Sequence, residues 1–455
     1  MTIGPGNAIF DTNGHDATWQ GAITGGSSST EFHKIGTGTL TLTGNNTYTG
    51  QLQIIAGTLI LTGDNQPSIT STPISTGATL QIGNGGATGS LSGNVTNGGL
   101  FIINRSNAYT FDGVISGTGS FVQMGTGTTT LTATNTYSGG TTISGGTLAV
   151  SADANLGDTS GGLSFGGGTL QYLAGFTSNR GVTLNAGGGT FDTNGNSASI
   201  AGVIGGSGDL TKSGTGTLTL SGANTFSGAT TIAAGTLVAQ NATALGTTNA
   251  GTTVIAGATL EIADGVTIGA EPLNLSGAGV GSNGALIVTS GSASFRGAIT
   301  LSASASVGGN GSLTLGGTVN DISAGTSTLT QVGSGTLTFS NTVGATTALA
   351  AVTTSAGQTT AINGGSVTTA GAQRCDHANE HGWRQYHREQ CRQQFWRESH
   401  AQHERRCAHR QFHGANPRCF IGWHADIEHD QRGDAVGPDH CDQSCIAGKR
   451  RKLHP

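Results

Sequence analysis

The chain has 455 residues, 34% of them hydrophobic and only 9% charged, with 80 glycines and a formal charge of −5. Over residues 1–373 so sparse a charge lacks the clustered Lys and Arg that a nucleic-acid partner demands, and Lys449-Arg450-Arg451-Lys452 reads as a coincidence rather than a nucleic-acid patch. No stretch reaches the roughly 18 apolar residues of a membrane helix.

Residues 1–373 hold 74 of the 80 glycines and no cysteine, so neither a disulfide framework nor thiol chemistry is available there. Their basic residues are Lys34, Arg105, Arg180, Lys212 and Arg296, against 13 acidic ones, a balance of −8. Met1-Thr2-Ile3-Gly4 leads directly into repeat-like sequence without a basic or an apolar leader segment, so no signal peptide is expected.

In chain order, the first clear unit spans 36–61. Gly36-Thr37-Gly38-Thr39-Leu40-Thr41-Leu42-Thr43 leads to Asn45-Asn46-Thr47-Tyr48-Thr49-Gly50 and then Ala56-Gly57-Thr58-Leu59. A second copy spans 125–150, with Asn135-Thr136-Tyr137-Ser138-Gly139 and Gly145-Gly146-Thr147-Leu148. The third spans 214–239, with Asn224-Thr225-Phe226-Ser227-Gly228 and Ala234-Gly235-Thr236-Leu237. The starts Gly36, Gly125 and Gly214 are 89 residues apart, twice, and a decayed copy at 333–342 starts 119 residues later. The difference predicts a structural unit of about 30 residues, three to each long repeat.

Thr-Leu-Thr-Leu and Thr-Thr-Ile put every second side chain on one face, the signature of short strands. Gly, Asn and Ser cluster between them, where the chain must turn. Strands this short bury their apolar face only by stacking. The expected fold is therefore all-β: a right-handed parallel β-helix over 1–373, with roughly twelve coils about 4.8 Å apart. Open coil edges invite pairing, so self-association through exposed coil ends is expected.

Candidate sites read as structure. Tyr48, Tyr137 and Phe226 share one repeat position and read as packing residues. Asn46, Asn135 and Asn224 read as bonding the backbone of their own turns. Gly205-Gly206-Ser207-Gly208-Asp209 resembles a calcium-binding nonapeptide, but the Asp is one residue early and no tandem copy follows. Asp11 and Asp192 share the context Phe-Asp-Thr-Asn-Gly and read as turn formers, so a polysaccharide-acting β-helix enzyme is the weaker alternative. Thr39/Thr41 and Thr217/Thr219 could serve an ice-type surface only if they stacked, and copies a whole long repeat apart are not expected to be adjacent rungs. No catalytic, cofactor or metal residue is assigned.

The segments GTGTLTLTGNNTYTG…AGTL, GTGTTTLTATNTYSGGTTISGGTLAV and SGTGTLTLSGANTFSGATTIAAGTLV resemble the passenger-associated strand repeats of bacterial autotransporters. That resemblance implies a non-enzymatic β-helical passenger stalk of adhesion type, directed at host or neighbouring-cell surface molecules. In the intact parent it implies secretion and display at the outer membrane, tethered by a C-terminal β-barrel. Neither a signal peptide nor a barrel is read here, so an interior fragment of a larger gene product is expected.

Residues 374–455 speak another language. They hold all six cysteines, 11 of 13 histidines, three of four tryptophans and no threonine. Cys375, His377 and His381, with Cys407, His409, His440, Cys441 and Cys445, suit zinc by residue type, yet no pair recurs at a finger-like interval. The genetic code offers another explanation. Read one nucleotide forward, Cys codons become Ala or Val, and Trp383-Arg384, Trp396-Arg397 and Trp423-His424 each yield glycine. The expectation is a frameshifted continuation of the repeats, unstructured because it offers few apolar runs.

Overall fold

The computed structural model describes residues 1–371 apart from Pro5, 66–70 and 355–356, together with the backbone of Arg374–Cys375. The chain divides into two units, Met1–Trp383 and Arg384–Pro455. The second lies wholly outside the described residues, and so do the tail side chains on which the disorder and zinc expectations rest.

The first unit is all-β, a parallel solenoid of about 17 turns. Two short 3-10 turns, Asp153–Leu156 and Val280–Ser282, are the helical elements among the described residues. A representative turn runs Thr49–Ile54, Thr58–Leu61, Asp64–Asn65, one strand on each of three faces. Each strand pairs in parallel with the strand one turn on, as Thr58–Leu61 does with Thr79–Ile82.

Alternation fixes which side chains enter the core. In Thr39–Leu42 and Thr217–Leu220 the leucines are buried and the threonines half-buried outside. Stacking turns then line up Leu40, Leu59, Leu80, Phe101 and Phe121 in one inward file. Each buried leucine of this kind contributes about 2 kcal/mol of apolar transfer. Aromatics stack between turns as well: Phe10 on Phe32, Phe32 on Tyr48, and Phe101 against Phe121.

The turn is shorter than the sequence arithmetic predicts. Thr39 is registered with Thr58, Thr79 with Leu100, and even a wide pair such as Thr267 with Ser294 falls short of the expected unit. The solenoid therefore has about 17 turns, not twelve. The long repeat is also not a whole number of turns. Four turns from Leu40 reach Phe121, whereas the counterpart of Leu40 in the second copy is Thr129, one face further round. Four turns from Thr129 reach Lys212, and the counterpart is Leu218, again one face further. Five turns from Leu218 reach Gln331, and the decayed copy's counterpart, Leu337, lies one face on. Each spacing is a whole number of turns plus one third. The longer spacing before the decayed copy is one added turn plus longer corners.

Candidate functional site

The repeated motif makes the same corner three times, and two buried polar devices hold it. The first is a clamp. Lys34 is fully buried, yet among the described residues its ammonium faces no carboxylate at hydrogen-bond distance. Nζ donates to the carbonyls of Ile35 (2.9 Å), Gly36 (2.8 Å) and Ala56 (3.0 Å) and to Thr12 Oγ1 (3.1 Å). Lys212 repeats this on Ser213 (2.8 Å), Gly214 (2.8 Å) and Ala234 (3.0 Å). Burial pushes the Lys212 ammonium down to about 8, opposed by the charge of Asp192, and lowers Lys34 in the same way, opposed by Asp11.

In the second copy Gln123 takes the position, donating to Gly125 O at 2.8 Å and more weakly to Gly127 O. In the decayed copy Gln331 donates to Gly335 O and Thr359 O. The clamp thus asks for a long donor rather than a charge. Where the donor is Lys, Phe-Asp-Thr-Asn-Gly sits one turn below: Phe10 pairs with Lys34 and Phe191 with Lys212. Asp11 and Asp192 accept from Asn13 N (2.8 Å) and Asn194 N (2.9 Å), the turn-forming role read from the sequence. Gly214, at φ 73°, packs on this turn so closely that a Cβ would lie 2.4 Å from Asp192 Oδ1.

The second device is a staple, and here the sequence reading is corrected. The side chains of Asn46, Asn135 and Asn224 bond the turns on either side rather than the backbone of their own turns. Their Oδ1 atoms accept from the backbone N–H of Ile23 (2.8 Å), Ile115 (2.8 Å) and Ile204 (2.9 Å), one turn below. Their Nδ2 atoms donate one turn above, to Asn65 Oδ1 (2.6 Å), Asn155 O (2.6 Å) and Ala244 O (2.7 Å). Each amide joins three consecutive turns, which requires both an acceptor and a donor on one short side chain. Tyr48, Tyr137 and Phe226 follow into the core, 1%, 0% and 0% exposed, and are packing residues as expected.

Two further cations, Arg180 and Arg105, are also absorbed by backbone, while Arg296 is exposed. Arg180, 2% exposed, was missed from the sequence because nothing in its local pattern marks it. Its guanidinium pairs with Asp153 Oδ1 at 3.0 Å and donates to the carbonyls of Asp153, Gly157, Asp158 and Gly161, pinning the loop that carries the first 3-10 turn. Arg105 donates to the carbonyls of Ala87 and Gly89 and lies over the Tyr109 ring. Asp209, in the calcium-like segment, accepts from Ala229 N at 2.7 Å. Among the described residues no group of three or more His, Cys, Asp or Glu converges.

The motif threonines of different copies do not stack on one another: Thr41 pairs with Ile60, and Thr219 with Ser199 and Val238. The turns between the motif copies also carry outward threonines, so an unbroken file runs Thr128, Thr147, Thr169, Thr190, Thr211, Thr231, Thr253. The neighbouring outward file reads Thr130, Ala149, Gln171, Asp192, Ser213. A single file stands here, not a two-file plane, and threonine's fit to a pleated surface accounts for it. A shallow groove of about 550 Å³, lined by Gly140, Gly162 and Gly181 beside Thr142, Ser164 and Thr183, holds no charged side chain.

Comparison with known proteins agrees with this geometry. The passenger-associated-transport-repeat family matches residues 32–61, 121–150 and 210–239, the stretches from clamp strand through staple to the following turn. A 48-residue stretch is 46% identical to the adhesin BmaC autotransporter of Brucella suis biovar 1 (strain 1330). It covers 10% of this chain and 1% of that protein, so the chain spans a very small part of the relative it matches. No solved structure matches the chain. With its clamp and staple repeated on three successive faces, the chain is a parallel β-solenoid built on the passenger-associated-transport repeats of autotransporters.

Proposed function

We propose that residues 1–371 form part of the passenger of a bacterial autotransporter: a non-enzymatic stalk of adhesion type, displayed at the outer membrane and cell surface by the intact parent. One observation carries this reading. Three of the five cations of residues 1–373 are consumed inside the fold, Lys34 and Lys212 on carbonyls and Arg180 on a loop, and the groove carries glycines, hydroxyls and apolar side chains but no charge. An enzyme acting on polysaccharide needs a paired acid and base at one place. Asp11 and Asp192 instead hold two separate turns far apart along the stack. The adhesin relative supports the same direction.

The partners proposed are molecules of a host or neighbouring-cell surface, with self-association of the stalk as a further contact. Antibodies raised against folded residues 1–371 should label intact cells that express the parent gene, and external protease should remove the label. Labelling only after permeabilisation contradicts display. An in-frame deletion of residues 36–339 should lower cell attachment without removing any hydrolytic activity. A clean monomer in light scattering would contradict the self-association.

A further inference from the structure

Three buried threonines on the rising wall of the solenoid need an acceptor for their hydroxyls. Thr141 Oγ1 donates to Leu156 O at 3.2 Å and Thr230 Oγ1 to Leu245 O at 3.1 Å, both carbonyls of long loops. Thr252 stacks directly on Thr230, but no such loop follows it. Its hydroxyl donates at 2.8 Å to Glu271 Oε1, so a carboxyl stands where the earlier turns use a carbonyl.

Glu271 as a whole is 2% exposed. The strands packed around it, Thr230–Ile232, Thr252–Val254 and Leu273–Gly277, carry no charged residue. The nearest acid upstream, Asp264, is engaged with Ser292 N, and Arg296, next to the Gly297 that stacks on the Glu271 backbone, is exposed. A buried carboxylate with one hydroxyl for company is costly. The turn it closes is also irregular. Register with the next strand shifts between Leu275 and Gly277, and Ser282 in the following corner sits at φ 62°.

We propose that Glu271 makes the seam between Thr252–Val254 and Leu273–Gly277 an acid-tightened joint, the point at which the stack opens first at neutral pH and holds most firmly in mild acid. Burial, opposed only by the Thr252 hydroxyl, raises the carboxyl above its ordinary value. The folded state then keeps its proton to higher pH than the unfolded chain. Stability at the seam is greatest below the unfolded value, about 4.3, and is lost as pH rises through the folded value.

Amide hydrogen exchange on the full chain tests this, with protection factors corrected for intrinsic rates from mild acid to slightly alkaline pH. The Thr252 amide, which bonds Pro272 O across the seam, should lose protection severalfold as pH rises, while Leu59 and Leu80 in a distant turn should not. Glu271→Gln keeps an acceptor for Thr252 and should make the seam's protection pH-independent, at the wild type's acid level. Flat protection in the wild type, or the same pH dependence in E271Q, overturns the proposal. The wild-type titration decides the matter even if the variant folds poorly.

Discussion

At the residue scale, the three copies are natural variants of one another, and they predict their own mutants. Tyr48 OH is buried without a hydrogen-bond partner among the described residues, Tyr137 OH bonds Thr141 Oγ1 at 2.6 Å, and the third copy has Phe226. Tyr48→Phe should therefore be neutral or slightly stabilising, while Tyr137→Phe should cost about 1 kcal/mol. Urea unfolding of the two variants reads the contrast. Lys212→Gln imitates Gln123 and should cost little; Lys212→Met leaves carbonyls unpaired and should cost about 1–3 kcal/mol.

The Lys212 clamp also predicts a pH effect of definite sign. Its folded value near 8 lies below the ordinary lysine value, so between the two the unfolded chain holds the proton that the folded chain has lost. Stability then rises as pH goes from about 8 toward 10.4, and Lys212→Gln should lack that rise in melting curves. Asn135→Ala strands Ile115 N–H and Asn155 O together and should cost about 2–4 kcal/mol. The role of Tyr48, Tyr137 and Phe226 was legible in the sequence because aromatic identity at one repeat position implies packing. The staple was not, because an Asn in a turn looks the same whether its amide serves its own turn or two others. Arg180 was illegible for a similar reason: its partners lie about one turn back and are mostly carbonyls, which no sequence pattern displays.

At the element scale, strand identity was legible and the period was not. Thr39–Leu42 and Thr217–Leu220 announce themselves by alternation, and both are strands with leucines inward. The expected unit failed because subtracting one repeat spacing from the other assumes that each copy returns to the same face. The registers show that it does not: Leu40 leads to Phe121, a residue of the clamp strand in the next copy. A sequence shows its repeat length, but dividing that length into turns requires knowing which strands pair. The corrected period predicts a deletion. Excising Thr79–Gly99, the stretch from Thr79 up to its partner Leu100, removes one turn and brings Ala78 to Leu100 in register. That variant should keep the wild-type strand signal in circular dichroism and its resistance to protease. Excising only the first half of that stretch puts one face's strands against another's corners and should lose both.

At the scale of the whole molecule, stability is a sum over neighbouring turns, with no disulfide available to residues 1–373. The rotation of the motif by one face per repeat spreads the clamps and staples around the solenoid, so that no single face carries all of them. The change of composition after Gln373 belongs to this scale too. A frameshift there predicts that sequencing single DNA molecules across the locus will find Gly/Thr repeats continuing in the frame one nucleotide forward. Stops scattered through that frame would instead make the Cys/His segment genuine protein, and zinc binding its next test.

The central claim is a parallel solenoid whose turn is set by the registered pairs and is shorter than the repeat arithmetic suggests. Cross-linking between introduced cysteines tests it most directly. The six native cysteines all lie in 375–445 and can be replaced by serine. Thr211 and Thr231 are registered partners on adjacent turns with outward side chains. Asn241, where the longer expected turn would place the partner of Thr211, instead follows a strand of another face. Thr211→Cys with Thr231→Cys should be joined by a short bismaleimide in high yield, and Thr211→Cys with Asn241→Cys should not. The reverse result would contradict the turn, the register and the rotation of the repeat together.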